Sequence, residues 1–427
     1  MPTVAYLANQ FPVAVEPYVS EEIEELRRRG IQVIPGSVRR PETQRGSTTA
    51  PFEPENLCLQ PPRVLILLRS LMLALRHWDR SAGLITRVLL HGKESPQRRL
   101  KALLHTWLGA YYAVQLQELG VDHIHVHHGY FGSWIAMVAA RLLGVSFSLT
   151  LHGSDLLLDG VFLDTKLKDC GFCVTISDYN RRYILEHFPA IASGKVIVSR
   201  LGVHVPEPAE SRPRAGVRAG RPLTLLAVGR LHPVKDHAFL VGACARLRDR
   251  GLDFECAIAG EGPERQRLES QIRQNRLQDR VSLLGHVPRD QMDARYRHAD
   301  VVVLTSRSEG VPLVLMEAMV RSRVVLAPAI TGVPEIVIPG KTGFLYTPGE
   351  LEEFVTRILF LDELLRAEER FAVSQLHWIR HAARVQVLHN FSRRKNLNQF
   401  GDRFLKLIST CNFANKTLHK RELEPSP

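Results

Sequence analysis

No run in this 427-residue chain approaches the roughly 20 uninterrupted apolar residues a membrane span needs. The most apolar stretch, "VLILLRSLMLALRHW" from residue 64, is broken by Arg69 and Arg76. The opening "MPTVAYLANQFPVAVEPY" lacks a basic segment followed by a long apolar core, so no secretory signal is expected and a soluble cytoplasmic protein fits. Cysteine is scarce. Six, at 58, 170, 173, 244, 256 and 411, are too irregular for a disulfide framework, and reduced thiols are expected. Cys170 and Cys173 form one CxxC with no second pair after it, which argues against a zinc or redox site. Acidic residues are outnumbered, 44 against 56 Lys and Arg, giving a net charge of +12. That balance favours an anionic partner, but the basic runs carry no homeodomain, zinc-finger or RNP-like pattern, so nucleic acid is not expected.

What is present is a repeated βα alternation. Strand "TVAYLA" leads into helix "SEEIEELRRRG", glutamates early and arginines late as the helix dipole prefers, then strand "IQVIPGS". Residues 37–62 read as a surface loop and 63–119 as two or three amphipathic helices, whose surplus leucine and arginine suit either domain packing or contact with lipid. Strands "HIHVHH", "SFSLTLHG", "FCVTIS" and "KVIVSRLG" then alternate with helices, predicting a parallel sheet covered on both faces. Residues 205–222 carry four prolines and two Arg-Ala-Gly repeats, the composition of a linker, and a second βα series follows. The expectation is α/β, with two Rossmann-like doubly wound domains facing across a cleft. Their bounds are 1–205 and 222–375 with a linker at 206–221, helices over 376–408 returning to the first domain, and a polar tail over 409–427.

In "SRSEGVPLVLMEA", Glu309 and Glu317 flank Gly310, Pro312 and an apolar run, directly after strand "DVVVLTS". Ligands of doubly wound sheets bind beyond the carboxyl ends of the strands. Gly310 permits close backbone approach, Pro312 suits a first helical turn, and amides of Val311, Leu313 and Val314 at a helix N-terminus suit phosphate. In "AVGRLHPVKDH", Gly229 makes a tight turn after another strand and offers Arg230 and Lys235 at the same rim, a fork and a point charge for an anion. His123, His125 and His127 share one strand face, a spacing that strand packing explains better than a metal.

Taken together, "GRLHPVKD", "GEGPERQRLE", "SEGVPLVLMEAM", "TGVPEIVIPGKTGFLYTP", "TLHGSDL" and "ISDYNRRYI" make the chain resemble the retaining family 4 glycosyltransferases of GT-B fold, and within them the bacterial exopolysaccharide enzymes such as those for colanic acid. The resemblance implies transfer of a sugar from a nucleoside-diphosphate donor to an acceptor hydroxyl, with retention. It implies that Arg230 and Lys235 hold the diphosphate and that Glu309 contacts the sugar. Glu317 would hold the ribose, and Gly229 with the amides from Gly310 through Val311 and Pro312 to Leu313 would line the donor. Gly260, Gly262 and Val287 would line the base pocket. His152 would lie near the transferred sugar, so His152, Glu309, Arg230 and Lys235 are the expected catalytic set. The first loop departs from the glycine-rich form of many relatives and places Glu16 and Tyr18 toward the acceptor. No Asp-x-Asp occurs, so no metal or other cofactor is expected, Arg230, Lys235 and the helix end standing in for it. A glycan or lipid-linked glycan acceptor is expected; the basic helices of the first domain are compatible with peripheral contact at the inner membrane face and equally with a soluble acceptor. The rival readings are a GT-B epimerase or phosphorylase, and a nucleotide-sugar-binding scaffold without catalysis.

Overall fold

A computed structural model of the chain describes residues 2–12, 16–40, 56–206, 221–368 and 375–423. The chain divides into two units, 1–199 with 397–427, and 200–396.

The first unit contains β1 (Thr3–Gln10), α1 (Pro17–Arg28), β2 (Gln32–Arg39), β3 (Leu57–Cys58), α2 (Val64–Arg76), α3 (Trp78–Leu89) and α4 (Pro96–Gln117). It continues with β4 (His123–His127), α5 (Phe131–Leu143), β5 (Ser146–Leu151), α6 (Ser154–Leu157), α7 (Leu163–Asp169), β6 (Phe172–Thr175), α8 (Asp178–His187) and β7 (Val196–Val198). Its seven strands are parallel in the order β3-β2-β1-β4-β5-β6-β7. The sequence reads 37–62 as loop, yet β2 extends to Arg39 and β3 pairs with it at Gly36 and Ser37. Residues 41–55 of that loop lie outside the described residues. Buried Leu59 and the half-buried Leu57 anchor the return, which two apolar side chains amid polar neighbours scarcely signal.

The second unit contains β8 (Leu223–Val228), α9 (His237–Asp249), β9 (Phe254–Ala259), α10 (Arg265–Gln274), β10 (Val281–Gly285), α11 (Arg289–His298), β11 (Val301–Val303) and α12 (Leu313–Val320). After these come β12 (Val324–Pro328), α13 (Val333–Ile336), β13 (Phe344–Tyr346), α14 (Leu351–Glu368), α15 (Gln375–Asn390) and the first turn of α16 (Arg393–Leu423). Its six strands are parallel in the order β10-β9-β8-β11-β12-β13. The central strands are apolar throughout because helices cover both faces: Val301, Val302 and Val303 are all buried.

The C-terminal helices differ from the expectation that all of 376–408 returns to the first unit. Ala383, Val387 and Phe391 of α15 and the turn after it belong to the core built around Met316, Met319 and Val325, so this helix stays with the second unit. Only from residue 397 does the chain join the first, where Phe400, Phe404 and Ile408 pack with Val4, Tyr6 and Phe172. The polar tail is helical through Leu423.

Both sheets reverse direction once. In the first, β1 and β4 are neighbours at the point where the order turns, and in the second, β8 and β11 are. The loops leaving those strands diverge and open a crevice at the carboxyl ends. Chemistry is therefore expected after Gln10, His127, Val228 and Val303.

Candidate active site

In the second unit the loops after β8 and β11 bring Lys235 and Glu309 together. Lys235 Nζ donates to Glu309 Oε1 at 2.6 Å, and Ser306 Oγ donates to the same oxygen at 2.5 Å. The loops are tied by backbone as well, Arg307 N to Val234 O at 2.8 Å and Thr305 Oγ1 to Lys235 O at 3.0 Å. Thr331 donates to the Glu309 carbonyl. The Lys235 stem lies along Gly229, 3.5 Å from where a Cβ would sit. The pair is only partly covered, with Lys235 at 26% and Glu309 at 10% of side-chain exposure. Arg230 is exposed and its guanidinium has no ion pair among the described residues.

Two glycines bring a third loop against the first. Gly260 (φ 152°) and Gly262 (φ 158°) follow β9, and a Cβ on them would meet Gly229 O at 2.0 Å and Leu231 O at 2.3 Å. Leu231 N donates to Glu261 O at 2.8 Å and Glu264 N to Leu231 O at 3.1 Å, so the two loops run as a pair. Val287 is half-buried in the loop after β10. Pro312 takes the N-cap of α12 rather than its first turn, with φ −76° and ψ 103°, and Gly310, Val311 and Leu313 line the approach to it. Glu317 Oε2 accepts from Tyr296 OH at 2.6 Å; burial and Glu317 together push the Tyr296 hydroxyl pKa well above its usual range. Tyr296, Ser306 and Thr331 are site neighbours that sequence reasoning missed, since nothing in "DARYRHAD" distinguishes a buried phenol from a core aromatic.

The first unit holds a second cluster. His123, His125 and His127 face β5, where Ser146, Ser148 and Thr150 are their cross-strand partners. His123 bonds Ser146 and Ser148 at 2.6 Å each, and His125 bonds Ser148 at 2.7 Å and Thr150 at 3.0 Å. These rings are satisfied by hydroxyls, as buried polar groups require. His127 bonds outward instead: Nε2 lies 3.0 Å from Glu22 Oε2 and from Tyr6 OH, and Nδ1 lies 3.0 Å from His152 Nε2. Glu22, His125 and His127 carry ligand-type atoms within 4.8 Å of one another, and each ring nitrogen among them already has a hydrogen-bonding neighbour.

His152 sits after β5, 9% exposed, with the rings of Tyr18 at 4.8 Å and His128 at 4.5 Å between centres, both tilted against it. Asp155 Oδ1 accepts from the amides of His152 at 3.1 Å and Gly153 at 2.8 Å, and Oδ2 from Gly129 at 2.8 Å. His128 bridges Glu16 at 3.1 Å and Asp155 at 3.7 Å. Burial alone would lower the His128 pKa, but Asp155 and Glu16 lift it to about 10. Burial works to raise Asp155 and Glu16, and His128 outweighs it at both, holding Asp155 well below the usual carboxylate range. His152, buried and beside this cation, is held well below its ordinary value. The fully buried Lys166, its ammonium pKa lowered by burial to about 7, donates to the carbonyls of Gly129, Tyr130 and Val161 and fixes the same loop. Of this cluster the sequence singled out His152, Glu16 and Tyr18. Glu22, His127, His128 and Asp155 were missed as site groups, because they come from separate segments that only the sheet brings together.

Residues 210–372 match the sequence model of the family described as "Glycosyl transferases group 1". The chain is similar to the putative colanic acid biosynthesis glycosyltransferase WcaL of Escherichia coli (strain K12), 31% identical over 206 residues that make up 47% of this chain and 48% of that protein. It thus spans about half the length of that relative. Sucrose-phosphate synthase from Thermosynechococcus elongatus superposes with a TM-score of 0.71, at 17% identity over 96% of this chain and all of that one. Anabaena HepE in complex with UDP and glucose gives 0.65, at 18% identity over 95% of this chain and all of that one. Residues 210–372 thus match the glycosyl transferase group 1 model, in a chain whose two Rossmann-like parallel sheets are of the GT-B class.

Proposed function

We propose that this protein is a retaining glycosyltransferase that moves a sugar from a nucleoside-diphosphate donor to an acceptor hydroxyl, in exopolysaccharide or cell-surface glycan synthesis. The observation that carries the proposal is the Lys235–Glu309 pair at 2.6 Å, with Arg230 exposed in the same loop as Lys235, at the switch point of the second unit's sheet. Bond cleavage leaves a diphosphate whose charge grows toward the transition state. Lys235 and Arg230 offer that charge fixed donors, and Glu309, at the same loop junction, offers a carboxylate to the electron-poor sugar. Glu317 turns from Tyr296 to the ribose hydroxyls. In this reading Gly260, Gly262 and Val287 border the base, while His152 meets the sugar and Glu16 and Tyr18 meet the acceptor. The binding of UDP and glucose by Anabaena HepE, a protein of similar fold, supports a nucleotide-sugar donor. With two cations in place and no Asp-x-Asp in the sequence, transfer is expected to survive EDTA.

The acceptor side carries its own observation. Val64, Leu65, Leu68, Leu71, Met72 and Leu75 of α2 form a stripe at helical spacing and are 51–76% exposed, while Ile66, Leu67, Leu73 and Ala74 pack inward. Exposed Arg63, Arg69 and Arg76 accompany the stripe, with no acidic residue from 63 to 78. Burying one such apolar side chain is worth about 1.5–3 kcal/mol, and each arginine near an anionic headgroup adds about 1 kcal/mol. This face would hold the protein at a lipid surface, where a lipid-linked acceptor is presented. Among the described residues no helix is long and apolar enough to cross a membrane.

The test is transfer itself. Purified protein is given a panel of nucleoside-diphosphate sugars and glycan or lipid-linked glycan acceptors, with and without EDTA, and the anomeric configuration of the product is read by NMR. An α-linked product from an α-donor supports retention. An inverted product refutes it, and sugar phosphate or an epimerised donor without acceptor would place the enzyme in another reaction class.

A further inference from the structure

The carboxylate of Glu317 is held from behind. On α11, Asp293, Tyr296 and Arg297 share one side at helical spacing, and the end of α12 carries Glu317 and Arg321 one turn apart. Tyr296 is 1% exposed, in the core with Met316, Met319 and Val320. A phenol buried so deeply needs a hydrogen-bond partner. Among the described residues its hydroxyl has one, Glu317 Oε2 at 2.6 Å. Arg321 braces the pair: its guanidinium lies 5.2 Å from the centre of the Tyr296 ring, Nε donates to Asp293 Oδ1 at 2.6 Å, and Nη1 donates to the Glu317 carbonyl at 2.8 Å. Asp293 is paired in turn with Arg297 at 2.8 Å. Glu317 itself is half-buried, and its Oε1 has no hydrogen-bond partner among the described residues.

We propose that Tyr296 is a positioning residue for the donor's ribose: it fixes Oε2 of Glu317 so that Oε1 is presented to a sugar hydroxyl, and through Glu317 it sets the preference for a nucleotide carrying that hydroxyl. This rests on the reading that Glu317 holds the ribose. Tyr296 is too deeply buried to touch the nucleotide, so it acts through the carboxylate. A glutamate on a helix surface samples many rotamers, and ordering it at the moment of binding lowers affinity. One already held at 2.6 Å has little freedom left to lose. The carboxylate then spans both partners, Tyr296 on one oxygen and the ribose on the other, since each oxygen accepts hydrogen bonds of its own. Without the phenol hydroxyl, water can reach the half-buried Glu317, so the fold is kept and the preset orientation is lost.

The test is titration calorimetry on the full chain, for wild type, Tyr296→Phe, Glu317→Ala and the double variant. The probes are UDP, GDP and ADP, each beside its 2′-deoxy and 3′-deoxy forms, and dTDP beside its 3′-deoxy form. Tyr296→Phe is expected to keep a Tm close to wild type and to bind the diphosphate that wild type prefers about fivefold more weakly, the worth of one side chain ordered in advance. Against the deoxy form that lacks the hydroxyl Glu317 reads, the two proteins should bind alike. In the Glu317→Ala background, Tyr296→Phe should weaken binding no further. An equal loss against every form, or in both backgrounds, overturns the inference. So does a Tyr296→Phe that does not fold, which would mark the hydroxyl as a structural bond. Unchanged binding by Tyr296→Phe beside a weakened Glu317→Ala sinks the inference alone. If Glu317→Ala binds as wild type does, or wild type binds none of the four diphosphates, the reading of Glu317 falls and the inference with it.

Discussion

In the first unit His127 is fully buried, Glu22 nearly so, and the side chains of Tyr6, Glu22, His127 and His152 are joined by hydrogen bonds; in the second, Arg230 stands exposed and Lys235 is a quarter exposed with Glu309 as its ion-pair partner. One cluster is wired internally and the other keeps charge available at its surface. The difference fits what each would handle. A neutral sugar is recognised by hydrogen bonds, and a buried network offers polar groups in fixed positions. A diphosphate brings its own charge, so its site needs free cations and close backbone more than a fixed relay.

The sharpest way to break this comparison is at the glycine that lets two loops of the second unit meet. Gly260→Ala places a Cβ 2.0 Å from Gly229 O at φ 152°, and the loops must part. A loss of about 3 kcal/mol or more is expected by urea unfolding, together with loss of nucleotide binding; near-wild-type stability would show that the loops pack otherwise. Next in size is Glu317→Ala, expected to raise KM for the donor about tenfold with little change in kcat, since a ribose contact is uniform binding. Steady-state kinetics that find the loss in kcat instead would move Glu317 out of that role.

A subtler effect separates the wired cluster from the open one by pH. His128, raised to about 10, adds stability that is fully present below its unfolded value near 6.5 and is lost as pH rises through 10. Lys166, lowered to about 7, acts in the opposite sense over nearly the same window, so the informative quantity is a difference. His128→Asn, a residue that tolerates the φ of 71° at this position, should lower Tm by several degrees at pH 6 and by progressively less toward pH 10. A constant difference across that range would remove the imidazolium from the account. The smallest effect on stability is expected on α2. Leu68→Glu with Leu75→Glu should leave Tm nearly unchanged, because both side chains are exposed, while abolishing cosedimentation with phosphatidylglycerol vesicles. Retained binding would take the lipid surface away from this helix.

The same contrast explains what the sequence made legible. The parallel sheets followed from βα alternation, because buried strands such as "DVVVLTS" and "LTLLAVG" leave a continuous apolar mark. Lys235 and Glu309 could be placed because each lies within a few residues of a strand end, beside a glycine. Tyr6, Glu22 and His127 gave no such signal, coming from β1, α1 and β4, whereas His152, directly after β5 and beside Gly153, did. Buried histidines on a strand looked like packing, and for His123 and His125 the bonds to serine and threonine fit that reading. His127 differs by a single feature, a carboxylate delivered from α1, which no local spacing announces. Likewise α15 carries the same amphipathic pattern whichever unit it covers, so its place could be assigned only from its partners Met316 and Val325.

The central claim is that the second unit binds a nucleoside diphosphate through the Lys235 and Glu309 loops. Titration calorimetry of wild type and Lys235→Ala against UDP, GDP, ADP and dTDP, in EDTA, addresses it most directly. The account predicts that one of them binds the wild type and binds Lys235→Ala at least about tenfold more weakly, the worth of one charged hydrogen bond. Equal affinity for both proteins, or no binding of any of the four at millimolar concentration, would contradict it.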